Sequence, residues 1–271
     1  MMNKMNVKVS FVTALVGSAL FTAGNTAMAV TSFDQNVTNN VIFGSGNANG
    51  SFTVDRTNGI ELGLRAKLRF DASNQPQNIF NSNGDGTYTF SGGAAPGGFS
   101  FAQPPTTTPI WNFEWSVNTD FDGSTGLKLD NLTYELGIDF DPGPGTNFLT
   151  FDPITPVSPN FFDHSIGDNS TASGAGQEAN SFASYTALLN GFNLAQNSWN
   201  MEFFNNPPFD TFDPNTPGTY DFFLRAIDAN GAELARVDAS VNVVVPEPVT
   251  AGLGLMGLGA LALSIARRRR A

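Results

Sequence analysis

The sequence predicts an all-β protein: an antiparallel β-sandwich with long Gly-, Pro- and Asn-rich loops and one short helix. Three observations predict it. Several segments alternate apolar and polar residues with period two, as a strand does when one face lies on a core and the other in water. Turn formers are abundant, with 28 Gly and 16 Pro among 271 residues, which favours short elements joined by many turns. Asn-Gly pairs stand between apolar runs at 58–59 and 230–231, the mark of a tight hairpin.

The elements follow in order. Phe52-Thr53-Val54, Asn58-Gly59 and Ile60-Glu61-Leu62 read as a first hairpin. Asn83-Gly84-Asp85-Gly86 is a turn leading into Tyr88-Thr89-Phe90. Residues 91–108 are rich in Gly, Pro and Thr. They read as an internal linker, or as a loop within one sandwich that the N-terminal hairpin extends. One domain over 30–245 is the preferred reading, because the piece before the linker is too small to be stable alone without disulfides. In 111–117, Trp111, Phe113, Trp115 and Val117 share one face, and Asn112, Glu114 and Ser116 share the other. In 132–140, Leu132, Tyr134, Leu136, Ile138 and Phe140 oppose Thr133, Glu135, Gly137 and Asp139. Both patterns place the polar set in water. Residues 181–190 are the one helical stretch, with Ser181 as its cap and Gly191 in the left-handed position after its end. Asn230-Gly231 then joins 220–227 to 234–245 in a last hairpin. There Val237, Ala239, Val241 and Val243 alternate with Asp238, Ser240 and Asn242.

Composition excludes several functions. The chain has no Cys, so disulfides, thiolate metal sites and Cys nucleophiles are absent. His164 is the one histidine. The formal net charge is −11, and all 24 acidic residues lie between Asp34 and Glu247. A body this acidic does not bind nucleic acid through its phosphates. Neither a nucleotide-binding loop nor a Gly-x-Ser-x-Gly elbow is present.

The two ends carry export signals. Residues 1–29 have the order of a secretory signal: Lys4 and Lys8, an apolar run from Phe11 to Phe21, then Ala27-Met28-Ala29 as a cleavage site with small residues at Ala27 and Ala29. Signal peptidase would leave a chain starting at Val30. At the other end, Pro246-Glu247-Pro248 interrupts secondary structure. The uncharged stretch 249–266 then reads as a transmembrane helix of about 27 Å. Arg267, Arg268, Arg269 and Arg270 stop transfer on the cytoplasmic side. A permanent single-pass anchor is the plainer alternative.

This order of Pro-Glu-Pro, Gly-rich apolar stretch and terminal Arg cluster, in residues 246–271, closely resembles the PEP-CTERM sorting signal of Gram-negative bacteria. The resemblance implies recognition by an exosortase, an integral-membrane cysteine protease-transpeptidase that cuts near the Pro-Glu-Pro. It also implies a link to exopolysaccharide and biofilm. At the architectural level, residues 217–226 resemble the entry to the penultimate strand of an immunoglobulin-like or fibronectin-like sandwich, with Tyr220 placed to form a tyrosine corner.

Candidate chemistry in the body is sparse. Asp120 with Asp122, and Asp139 with Asp141, are carboxylate pairs in turns and candidate Ca²⁺ ligands. The alternative is that these aspartates simply begin turns. The spacing fails an EF-hand, since Gly123 is fourth rather than sixth and no Glu is twelfth. If the two strands before these turns are antiparallel neighbours, the pairs lie at opposite sheet edges. His164 near Ser165 and Asp168 invites a triad reading, but neighbours in sequence are not evidence for one. A loop histidine with local hydrogen bonds is the expectation. Trp111 and Trp115 stand about 13 Å apart on one strand face. They either stack on sugars or fill the core, and the core is expected. The chain is thus expected to be a non-enzymatic, exported protein, first anchored in the inner membrane and then at the cell surface or extracellular. Its role would be structural or adhesive within the exopolysaccharide or biofilm matrix. The alternatives are a carbohydrate-binding module and a secreted hydrolase.

Overall fold

The computed structural model describes residues 31–95, 108–155, 163–204 and 213–245. The signal segment with Ala27 and Ala29, most of the Pro-rich stretch, the sorting residues Pro246 to Pro248, the apolar stretch 249–266 and Arg267 to Arg270 lie outside them. The described chain forms two sheets. One has the order β1 (Thr31–Gln35), β2 (Phe52–Thr57), β3 (Ile60–Leu68), β5 (Trp111–Asn118), β9 (Leu194–Trp199), β8 (Ser165–Gly167). The other has the order β4 (Thr87–Ser91), β11 (Glu233–Val244), β10 (Gly218–Ile227), β6 (Thr133–Asp139), β7 (Phe148–Phe151). A single α-helix, α1 (Phe182–Gly191), and two short 3-10 turns complete the described elements.

Local chemistry explains the hairpins. Asn58 and Gly59 both take positive φ, +55° and +74°, as a two-residue turn with the twist of the flanking strands requires. The register Thr57↔Ile60 follows. Between β10 and β11, Oδ1 of Asp228 accepts from the backbone of Asn230 and Ala232 and holds Gly231 in its left-handed conformation. Ser181 caps α1 by accepting from Ser184 N at 3.2 Å. Gly191 does not take the left-handed position. It is the last helical residue, and extended Phe192 ends the helix by donating to Leu188 O.

The core lies between the sheets. Leu62, Leu64, Trp111, Phe113, Trp115 and Val117 from one sheet meet Tyr134, Leu136, Ile138, Tyr220, Phe222, Leu224, Val237 and Val241 from the other. Trp115 packs edge-on against Trp199 at 5.4 Å, and Phe113 lies 4.8 Å from Phe222. The Tyr220 hydroxyl donates back to Thr216 O at 3.1 Å, which is the corner expected at the start of β10.

Two features refine the expected strand layout, and one expectation needs correction. First, β4 pairs in parallel with β11, with Val241 opposite Tyr88, while the other described strand pairs are antiparallel. Residues 69–86 carry the chain from β3 in one sheet to β4 in the other, so the first four strands span both sheets. Second, β5 and β6 are not neighbours but belong to different sheets. Third, the polar face of β5 is not in water. Asn112, Glu114, Ser116 and Asn118 are all buried.

A roof covers that face. Residues 36–51 cross the outside of the six-stranded sheet, and polar side chains of the sheet bond the backbone of the roof. Glu61 accepts from Thr38 N at 2.6 Å, and Asn118 donates to Thr38 O. Gln196 accepts from Ile42 N at 2.8 Å and donates to Asn40 O at 3.0 Å. Arg65 donates to Ala48 O and Gly50 O. Val37, Val41 and Phe43 add a small apolar cluster with Phe52 and Val54. Beneath the roof, Glu114 pairs with Arg65 at 2.6 Å and with Lys67 at 3.6 Å. The Arg65 guanidinium sits about 4 Å from the centres of the Phe52 and Phe80 rings (4.1 and 4.2 Å). The alternation is genuine, but both of its faces are inside.

Candidate functional site

The two aspartate pairs lie at opposite ends of the sandwich. Asn58 donates to Leu234 O at 2.7 Å, and Phe121 N to Gly59 O at 3.2 Å. The Asp120 turn therefore sits where β11 begins and where Thr133 pairs with Ile227. Asp139 ends the same β6 strand at its far end, roughly 20 Å away at ~3.4 Å per residue. The four carboxylates do not converge. Among the described residues, no three His, Asp or Glu side chains group closely enough to hold a metal ion.

Each aspartate works within its own turn. Oδ1 of Asp120 accepts from Thr125 N, the Thr125 hydroxyl and Gly126 N. Partial burial tends to raise its pKa, but these donors outweigh that and hold the carboxyl below the usual range. Asp122 accepts from Ser124 N, Asp141 from Gly143 N, and Asp139 from Asp141 N. These are Asx turns, the structure an aspartate makes when it begins a loop. The second oxygen of buried Asp139 has no hydrogen-bond partner. Thermal unfolding of the protein in CaCl₂ and in NaCl of matched ionic strength is expected to give equal shifts, because screening depends on ionic strength alone. A Ca²⁺-specific shift, abolished by Asp120→Ala with Asp122→Ala, would place an ion in that turn.

His164 lies in the loop just before β8, but its bonds are not local. It is buried against Trp115, with ring centres 5.0 Å apart, and its Nδ1 meets the amide of Asn197 on β9 at 3.0 Å. Its Nε2 meets Pro153 O at 2.5 Å. A carbonyl can only accept, so Nε2 carries the proton and Nδ1 accepts from Asn197. Burial lowers the pKa, partly offset by Pro153 O and by Asp163 and Asp152, so the ring is neutral. Both ring nitrogens are engaged, and neither meets a Ser hydroxyl.

Trp111, Trp115 and Trp199 are all buried, so none offers a stacking platform for sugars. A groove of about 290 Å³ lies where β1 passes the edge of the other sheet. Phe33, Asp85, Thr87, Asp238 and Ser240 line it, and Phe33 is 39 % exposed. The Asp85 carboxylate is engaged by Thr87, and Asp238 by Arg236 at 2.7 Å. Sequence reading missed this groove because it joins residues about 200 positions apart.

The C-terminal exit is built by β11. This strand is paired on both sides as far as Val243, which stands opposite Gly218 of β10 and Phe90 of β4, and Val244 continues on the β4 side, its carbonyl accepting from Gly92 N at 2.8 Å. Val245, 63 % exposed, is the last described residue. Among the described residues no helix is long and apolar enough to cross a membrane.

No curated protein and no solved structure matches the chain. One family model does, over residues 244–270, beginning at the last residue of β11. The chain carries the PEP-CTERM protein-sorting motif at its C-terminus, the mark of an exported, cell-surface-sorted protein that an exosortase processes.

Proposed function

We propose that this protein is a structural or adhesive component of an exopolysaccharide or biofilm layer, with no catalysis of its own. The observation that carries the reading is the direct junction of the sorting motif to a β body. In that body, the candidate residues are committed to internal contacts. His164 is locked between Asn197 and Pro153, the tryptophans fill the core, and the aspartates close their own turns. The transmembrane segment 249–266 holds the chain in the inner membrane until the exosortase acts, and signal peptidase removes 1–29.

The test is recovery of the protein from the extracellular layer of its own host. Its intact mass is expected to lack residues 1–29 and the Arg267 to Arg270 tail, and a host without the gene should lose cohesion of that layer. A chain still ending at Ala271 would reduce the tail to a plain anchor, and an unchanged layer would remove the structural role. One observation favours carbohydrate binding as a second reading: the half-exposed Phe33 ring in a groove with Asp85 and Asp238. An aromatic face flanked by acceptors suits a sugar ring. Loss of polysaccharide binding in Phe33→Ala, with stability unchanged, would support it.

A further inference from the structure

The matched sorting motif and the fold meet in the last residue of one strand. The matched motif begins at Val244, and Val244 is the last residue of β11, an inner strand paired to β4 and β10. Pro246 follows two residues later and is within about 7 Å of Val244, at ~3.3 to 3.6 Å per residue. The exit is crowded. Gly93 N donates to Pro214 O at 3.0 Å, and a Cβ on Gly92 would stand 3.5 Å from the Pro214 and Asn215 carbonyls. A Cβ on Gly218 would collide with Pro142. Gly92 therefore lies between Val243 and the loop at Pro214 and Asn215, and Pro142 packs on Gly218, the β10 residue opposite Val243.

An enzyme that cuts a chain holds it extended over several residues on each side of the bond. Near Pro-Glu-Pro, the upstream residues are Asn242 to Val245. In the folded body Val243 is already paired with both neighbouring strands, and Val244 with β4, where its carbonyl accepts from Gly92 N. A body with a radius of gyration of about 17 Å also sits a few residues from a membrane-embedded active site. Folded substrates of this kind are cut only when the local structure opens.

We propose that pairing of the C-terminal end of β11 closes the processing site. The exosortase takes the chain before Asn242 to Val244 are zipped between β4 and β10, or while that end is transiently open. The bond broken is a peptide bond. Its acyl carbon passes to the enzyme's thiol, the leaving amine takes a proton, and water or an acceptor amine then releases the body. The sandwich supplies no group to this chemistry and controls only access. The inference rests on exosortase processing of the tail.

Two variants of the full chain test it in a host that carries its exosortase, with tail loss followed by pulse-chase. The first places eight Gly/Ser residues between Val245 and Pro246, adding a reach of about 15 Å. It leaves β11 intact. The second is Thr219→Cys with Asn242→Cys, which staples β11 to β10. These residues are directly opposed and their side chains bond at 2.9 Å, and the chain has no other Cys to mispair with. Precursor that has already folded is expected to lose its tail several-fold faster with the linker. The staple is expected to slow tail loss several-fold, and added reductant should restore it. Equal rates in wild type, linker and staple would overturn the proposal. If wild type itself never loses its tail, the sorting reading fails and this inference with it.

Discussion

Replacing Trp115 by Ala is expected to destabilise the protein by about 3 to 5 kcal/mol, the usual range for a large aromatic lost from a core. Trp115 is central in β5, fully buried, and touches both Trp199 and His164. Its loss leaves a cavity walled by rings that are pinned by their own strands, so the site cannot collapse to fill it. The indole N–H is buried without an acceptor. Trp115→Phe should therefore cost less than its lost area implies, since it also removes an unsatisfied donor. Urea unfolding of both variants checks this through the midpoint at constant slope. A near-neutral Ala variant that had lost polysaccharide binding would instead make Trp115 a sugar contact.

The Glu114→Gln variant should cost a similar amount, about 3 to 5 kcal/mol, for a different reason. Glu114 is the counter-ion of both Arg65 and Lys67 beneath the roof. Removing one member of a buried ion pair strands the other charges, which is far more costly than replacing the whole group with apolar residues. Burial already lowers the pKa of both bases, and Glu114 is the main influence that offsets it. The variant lowers the Lys67 pKa further. Between that value and the ordinary 10.5, the unfolded chain holds a proton that the folded chain has released, so stability rises with pH. The cost should thus be largest below the variant's Lys67 pKa and shrink as pH rises toward the wild-type folded value, itself below 10.5. Amide exchange along 36–51 should rise in parallel, because Arg65 and Lys67 hold that segment through Ala48, Gly50 and Asn47. A cost below about 1 kcal/mol with an unchanged roof would show that the cluster is solvated.

Much of the strand framework was legible because it is local. Alternation placed Trp111, Phe113, Trp115 and Val117 on the core, and Asn58-Gly59 and Asn230-Gly231 named their hairpins from two residues each. The strand β9 was not legible. Its Gln196, Asn197 and Ser198 look like loop residues, and they are strand residues because Gln196 holds the roof and Asn197 holds His164. The His164 environment was hidden for the same reason, since its partner Asn197 stands 33 positions away. Of the candidate ligands, Asp120, Asp122 and Asp141 lie in loops as the sequence reading placed them, whereas Asp139 is the last residue of β6. That the pairs sit at opposite ends of the body follows from a pairing of strands that no short pattern encodes.

The sequence by itself determined the β class, the hairpin turns, the capped helix and the sorting signal. Each of these is written in a few adjacent residues, through φ preferences, hydrophobic period or charge order. Only the tertiary structure decided that the polar face of β5 is an interior. A glutamate alternating with tryptophans looks the same whether water or a backbone completes its hydrogen bonds. Here residues 36–51 take the place of water, and the Glu61, Gln196, Asn118 and Arg65 side chains that a solvent-facing reading would leave hydrated instead satisfy the roof's peptide groups.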